Sequence, residues 1–347
     1  MKMTRFLQLV LGLVLLFNIS CSSDYEEIVA SPTYENGYFI TNEGNFGVPN
    51  ADVSFITKDL NFVQNDIYKA NNANENLGDV LQTIAYNGDQ AYLLLNNSNK
   101  IQVVNRYTFK KTGEITSQLN NPRYMAVANN MLYVSNDQYN GPKSVNVYKT
   151  SDLSFVKKIT FTNTAERVVV AGGNVFVQNA TYSFGNTLTK INTVTNEIEG
   201  TPISLPSGNI NKTIAYNNNI YVIAEGTTDS YIYQISAAGA IVKTITLTGI
   251  ANGTHLQIDN GRFFFSSYNK IYSMDVNATA SPTAPIITVV DGGQYFTLYG
   301  FSVVDGRIFT SDVKSFTEAS EMSVYTTSGT LIKKFTTGMG STNVYAN

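Results

Sequence analysis

The stretch Gln82-Thr83-Ile84-Ala85-Tyr86-Asn87-Gly88-Asp89-Gln90-Ala91-Tyr92-Leu93-Leu94 decides the fold. A half-apolar run meets an Asn-Gly-Asp turn and is followed by a wholly apolar run, which predicts two short strands joined by a tight hairpin. After Asn96-Asn97-Ser98-Asn99-Lys100 come a third run, Ile101-Gln102-Val103-Val104-Asn105, and a fourth, Gly113-Glu114-Ile115. The same order returns from Pro122, with Tyr124-Met125-Ala126-Val127, Met131-Leu132-Tyr133-Val134, Ser144-Val145-Asn146-Val147-Tyr148 and Phe155-Val156-Lys157-Lys158-Ile159. Later copies begin at Val168, Thr213, Thr254 and Tyr299. Four strands recurring with a period of about 43 residues is the signature of propeller blades.

The first copy lacks its first strand. Gly37-Tyr38-Phe39-Ile40 matches the second strand of a repeat, Val53-Ser54-Phe55-Ile56 the third and Phe62-Val63-Gln64 the fourth. The missing strand is supplied by the far end of the chain, where Ser341-Thr342-Asn343-Val344-Tyr345-Ala346 matches Pro122-Arg123-Tyr124-Met125-Ala126-Val127. The expectation is an all-β, seven-bladed β-propeller of four-stranded blades, its ring closed by the C-terminal strand so that no sheet edge is left open. The blades fall at 37–78, 79–121, 122–164, 165–208, 209–250, 251–293 and 294–340. A pair of β-sandwiches would not repeat one four-strand order seven times, and a right-handed β-helix has a shorter coil period.

Composition agrees. Of 347 residues only 14% are charged, and Asn, Thr, Ser, Gly and Tyr, which favour strands and turns, take their place. With 22 Tyr and 19 Phe there is ample surface to bury, which excludes a disordered chain. No segment keeps the i, i+3, i+4, i+7 spacing of a long helix. The net charge of −3 and the lack of a basic tract exclude a nucleic-acid groove, so no nucleic acid is expected as partner. One Cys and one His exclude a Cys/His zinc site and an internal disulfide, and no metal or cofactor is expected.

The N-terminus reads as an address. Residues 1–20 have the form of a signal peptide, with Lys2 and Arg5 ahead of the apolar run Leu7–Phe17, which is too short to span a bilayer. The only Cys, Cys21, follows at once, and the segment Asn18-Ile19-Ser20-Cys21 resembles a bacterial lipobox with Asn18 where Leu is usual. Residues 21–36 are then a lipidated Cys and its tether, and residues 37–347 the propeller. The acidic run Ser22-Ser23-Asp24-Tyr25-Glu26-Glu27 resembles the surface-export signal of Bacteroidetes lipoproteins, which implies a lipid-anchored protein of the outer membrane exposed at the cell surface.

On a propeller, the loops joining strands two and three and those joining successive blades gather on one face around the channel. The former are Asn42–Ala51, Asn96–Lys100, Asn136–Lys143, Asn179–Asn186, Glu225–Ser230, Ser267–Lys270 and Ser311–Glu321. They carry the aromatics Phe46, Tyr139, Tyr182, Phe184, Tyr268 and Phe316, and the blade-to-blade loops add Arg123, Arg167, Lys212, His255, Tyr295 and Tyr299. Rings set among Asn, Ser and Gly are the composition of adaptable recognition surfaces, so Glu43, Asn45, Phe46, Arg123, Tyr139, Arg167, Tyr182, His255, Tyr268 and Tyr295 are the expected ligand-binding residues. The plainer reading is that Asn and Gly make the turns and each Tyr packs on its neighbour. Catalysis is not expected. His255 stands alone without a G-x-S-x-G elbow, and Glu43, Glu166, Glu225 and Asp312 are ordinary loop carboxylates unless two of them meet in space. The absence of Trp argues against quinoprotein and sialidase propellers.

The most distinctive motif is Thr41-Asn42-Glu43-Gly44-Asn45-Phe46-Gly47 followed by Asn50-Ala51-Asp52-Val53-Ser54, supported by Gly78-Asp79-Val80-Leu81-Gln82 and Pro122-Arg123-Tyr124. With the lipoprotein-like N-terminus and the repeats, these resemble the surface β-propeller lipoproteins of Bacteroidetes, and within them the cobalamin-capturing lipoproteins that sit over an outer-membrane transporter. The resemblance implies a small-molecule ligand, with a corrinoid leading, a transporter as partner and no covalent chemistry. An adhesion or glycan-binding propeller is the alternative from another class, and a lyase or hydrolase using His255 is a third.

Overall fold

The computed structural model describes residues 33–293 and 296–347. The signal peptide, Cys21 and Tyr295 lie outside the described residues. Seven antiparallel sheets follow one another around a ring. The chain enters at the second strand of blade one, Gly37–Asn42, continues through Asp52–Thr57 and Val63–Gln64, and returns at its very end with Ser341–Ala346 to provide the first strand. Phe39 pairs with Tyr345 and Ile40 with Val344 in that closing ladder. The expected ring closure is therefore present in the expected register.

The strands form where burial demands them. Second strands such as Gln90–Leu95 and Arg262–Ser267 are buried on both faces and accordingly read as unbroken apolar runs. Outer strands such as Phe155–Phe161 and Leu331–Thr336 are largely solvated. The core is not one cluster but seven, each lying between two adjacent blades. The cluster joining blades seven and one packs Tyr38 against Phe309, ring centroids 5.2 Å apart, with Met322 and Val344 beside them.

Much of the Asn and Gly is turn chemistry. In blades three to seven the two residues between first and second strands are Asn129-Asn130, Gly172-Gly173, Asn217-Asn218, Asn260-Gly261 and Asp305-Gly306, every one with positive φ. That geometry defines the hairpin turn whose twist matches the strands, and Asn, Asp and Gly tolerate it best. Three details depart from expectation. The chain contains a five-residue helix, Ile67–Asn71, whose first N–H groups are satisfied across the blade by Asp52, with Tyr68 N–H donating to Oδ1 at 2.9 Å and Lys69 N–H to Oδ2 at 3.1 Å. The fourth strand of blade four is split, Glu197–Ile198 and Ile203–Ser204 both pairing with Phe184–Asn192. And 179–186 is not a long loop: the strands run on to Thr181 and Phe184, leaving a two-residue turn at Tyr182-Ser183.

The distinctive motif turns out to be the clasp of the ring. Asn42 is buried and bridges both sides of the closure, donating through Nδ2 to Ser54 Oγ at 2.9 Å and accepting through Oδ1 from Ser341 Oγ at 2.7 Å. Thr41 and Thr342 hydroxyls meet at 2.8 Å, and the N–H groups of Glu43 and Gly44 donate to the carbonyls of Gly340 and Met339. Gly44, with φ +77°, has no room for a side chain, because a Cβ would fall 2.8 Å from the backbone nitrogen of Ala51.

Asn42→Ala removes one buried hydrogen bond from each of the Ser54 and Ser341 hydroxyls, which keep Asn65 Oδ1 and Thr337 Oγ1 as partners, so urea denaturation should show a loss of about 2 kcal/mol. Ending the chain before Ser341 should cost far more and leave an aggregating species, because it bares the edge of Gly37–Asn42.

Candidate functional site at the channel mouth

The first strands line the channel, and their hydrogen-bond register slips at one level of the ring. The slips fall between Leu81 and Thr83, Pro122 and Met125, Ile210 and Lys212, and Thr254 and Gln257. A bulge leaves its extra residues unpaired and re-aims their side chains, a device common beside binding sites. The residues freed in this way are Gln82, Arg123 with Tyr124, Asn211, and His255 with Leu256. Arg123 and His255 thus belong to first strands, Pro122–Ala128 and Gly253–Asp259, rather than to the loops expected of them. His255 sits there with φ +57°.

At the mouth, Arg123 is the hub. Its Nε and Nη2 donate to the two carboxylate oxygens of Glu166, each at 2.9 Å, and Nη1 reaches Gln82 Oε1 at 3.4 Å. This fork-on-fork pair is largely buried and holds Arg123 fully charged. Across a cavity of about 520 Å³ stands Glu43, whose Oε2 accepts the phenol of Tyr299 at 2.7 Å. Burial pushes the Glu43 carboxyl up to about 7, against the opposing pull of the Tyr299 hydrogen bond and the Arg123 charge. Burial, and then Glu43 itself, raise the Tyr299 phenol.

Asn45 and Phe46 line the same cavity, and Asn45 Nδ2 ties the loop to the carbonyl of Phe316 at 2.8 Å. A second cavity of about 600 Å³ adjoins it and shares Arg123 and Tyr182. Tyr139 and Phe184 border it, as does the ion pair of Lys143 with Asp137 at 2.6 Å. Phe46, Tyr139, Tyr182 and Phe184 are 78–87% exposed, so their rings are not core residues.

Of the expected ligand residues, the structure gathers Glu43, Asn45, Phe46, Arg123, Tyr139 and Tyr182 around these two cavities. Arg167 and His255 lie deeper in the channel, where Arg167 covers the Tyr124 ring 4.1 Å from its centroid. Tyr268 stands apart on blade six, hydrogen-bonded to Asn252. Gln82 and Lys143 were missed because neither belongs to an aromatic or charged pattern; a register bulge and a turn bring them in.

Carboxylates do not pair at the mouth. Glu166 is committed to Arg123, while Glu225 and Asp312 border neither cavity. His255 Nδ1 faces Ser266 Oγ at 2.9 Å, and burial, then Lys212, then Arg167, drive its pKa down to about 3. Among the described residues no group of three His, Cys, Asp or Glu gathers as metal ligands.

One family model matches residues 36–339. The chain belongs to DUF5074, a domain of unknown function. No curated protein matches the sequence. Among solved structures, this DUF5074 propeller is similar to a quinonprotein alcohol dehydrogenase-like protein of Bacteroides thetaiotaomicron, with TM-score 0.70 and 14% identity, covering 90% of this chain and 79% of that one. It is also similar to AztD of Citrobacter koseri, with TM-score 0.57 and 10% identity over 89% of this chain and 96% of that one. A third likeness is to the virginiamycin B lyase of Staphylococcus aureus, with TM-score 0.54 and 13% identity over 74% and 83% of the two chains. Identities this low speak for a shared architecture alone.

Glu43 yields a pH signature. Its folded-state pKa near 7 exceeds the ordinary 4.5, so the stability it contributes is complete below about pH 4.5 and is lost as pH rises through 7. Glu43→Gln keeps an acceptor for Tyr299 and removes the titration. Relative to wild type, the variant should gain about 2 kcal/mol between pH 4 and pH 8 in urea midpoints, after discounting for partial access of water.

Proposed function

We propose that this propeller is a capture module, taking a broad, polar-edged nutrient molecule onto the channel mouth without turning it over. The observation that carries the reading is the pair of adjoining cavities that share Arg123 and Tyr182 and are rimmed by four exposed aromatic rings. Concave sites of this size, apolar in their walls and polar at a few fixed points, are the usual form of small-molecule sites. Rings with few rotatable bonds give contact area at small entropic cost, and a site already formed avoids the ordering that weakens binding.

A corrinoid, a wide disc edged with amides, is the leading ligand. Gln82, Asn45 and the Arg123–Glu166 pair offer donors and acceptors to such amides, and the rim rings offer flat surface to the disc. Binding without turnover is supported by the state of two groups that catalysis would call on. Glu166 is occupied, and a His255 of pKa about 3 is too weak a base to work near neutrality. On this reading Cys21 carries lipid to hold the protein on the outer membrane at the cell surface, and an outer-membrane transporter receives the ligand.

Calorimetric titration of residues 24–347, whose ring closes within its own strands, with cyanocobalamin should give one site per chain. Tyr182→Ala should weaken it by about tenfold, the loss of one rigid anchor, with a nearly unchanged melting temperature because the residue is 80% exposed. Absence of heat would remove the corrinoid, and retention on cells or polysaccharide in its place would bring the adhesion reading forward.

A further inference from the structure

Below the mouth the channel opens into a cavity of about 350 Å³ to which all seven blades contribute, with Thr83, Tyr124, Arg167, Thr213, Gln257 and Tyr345 among its walls. Arg167 is part of its wall, and on the next blade Lys212 directly precedes the wall residue Thr213. Lys212 is only 7% exposed, and among the described residues its ammonium has neither a carboxylate nor a hydrogen-bond acceptor. Arg167 rests the face of its guanidinium on Tyr124, which leaves its N–H edge free, and no described residue accepts from that edge. The nearest carboxylate in sequence, Glu166, is already held by Arg123.

The third neighbour is His255, on the next blade, whose backbone N–H donates at 3.2 Å to Oδ1 of Asn211, the residue before Lys212. Thr254 and Ser266 hydroxyls, 2.7 Å apart, lead to its Nδ1. With Ser266 donating to Nδ1, the neutral ring presents Nε2–H as a further donor. Thr213, 1% exposed and on the cavity wall, has a hydroxyl with no partner among the described residues.

A buried ammonium beside a guanidinium, with no counter-charge, is among the costliest arrangements a fold can carry. Burial, and then Arg167, lower the Lys212 pKa well below its ordinary range, and an anion bound beside it would favour the charged form again. Unpaired donors converge here from three blades, and acceptors are scarce. We infer that the channel neck is an oxyanion site, in which Lys212 Nζ and the free edge of Arg167 hold a phosphate or carboxylate group, with His255 and Thr213 as neutral donors. This site needs a negative charge on its ligand, which the mouth does not, and it stands whether or not the mouth takes a corrinoid.

The test is calorimetry and thermal melting of residues 24–347 in a weakly coordinating buffer, with inorganic phosphate, acetate and chloride as separate probes. One oxyanion should bind at one site per chain and raise the melting temperature, with chloride at equal concentration doing neither; the stronger of phosphate and acetate names the class. Lys212→Met should weaken that binding by at least about tenfold, the worth of one charge-assisted hydrogen bond. The same variant should melt higher than wild type when no anion is present, since it replaces a buried, unpartnered amine by an apolar side chain. Arg167→Gln, which gives up the stack on Tyr124 but no side-chain hydrogen bond or ion pair among the described residues, should also weaken binding, whereas Glu43→Gln at the mouth should leave it unchanged. No binding of either oxyanion, binding matched by chloride, or binding indifferent to both channel variants would overturn the inference.

Discussion

The hydrogen-bond ladder between Gly37–Asn42 and Ser341–Ala346 is the constraint on which the rest of the molecule depends. Every apolar cluster of the propeller lies between two blades, so no blade is complete alone, and an open ring would leave the cluster of Tyr38, Phe309 and Met322 half exposed. The closure is noncovalent and is reinforced by a buried polar network, Ser54–Asn42–Ser341, in which each group finds a partner. The mouth inherits its shape from this joint. The Glu43 and Gly44 backbone is tied to Gly340 and Met339, Asn45 to Phe316, and the phenol that meets Glu43 comes from Tyr299 on blade seven.

Above that scaffold, the electrostatics divide by depth. At the mouth charges are paired: Arg123 with Glu166, Lys143 with Asp137, Glu43 with a phenol. Deeper, Arg167 and Lys212 have no carboxylate partner among the described residues. Arg123 at the mouth and His255 deeper both sit in bulges of first strands, where a regular strand would send alternate side chains back into the blades. A rim that is aromatic, a mouth that is neutral by pairing and a neck that is positive would grade a ligand by shape first and by charge afterwards.

The fold was legible because its signals are periodic. The apolar second strands recur in every blade and the Asn/Gly/Asp turns in blades two to seven, and the match of Ser341–Ala346 to Pro122–Val127 exposed the closing strand. The exposed rings at Phe46, Tyr139, Tyr182 and Tyr268 were also legible, since an aromatic in a two-to-three loop has no blade to pack into. The site was less so. Bulges break the period instead of following it, so His255 and Arg123 read as loop residues although both sit in strands. The motif around Thr41–Gly47 looked like ligand chemistry, and most of it is clasp. Asn42, Gly44 and Asp52 hold the ring and a helix end, while Glu43, Asn45 and Phe46 face the cavity. Short-range sequence cannot separate these roles, because the partners lie at residues 299–342.

Hydrogen exchange read peptide by peptide, with and without saturating cyanocobalamin, tests the central claim most directly. If the mouth is the capture surface, amides in 43–51, 137–143 and 181–186 gain protection together while the hairpin turns at 129–130, 217–218 and 260–261, on the opposite face, stay as they were. Protection confined to that opposite face, or none anywhere, would contradict the account.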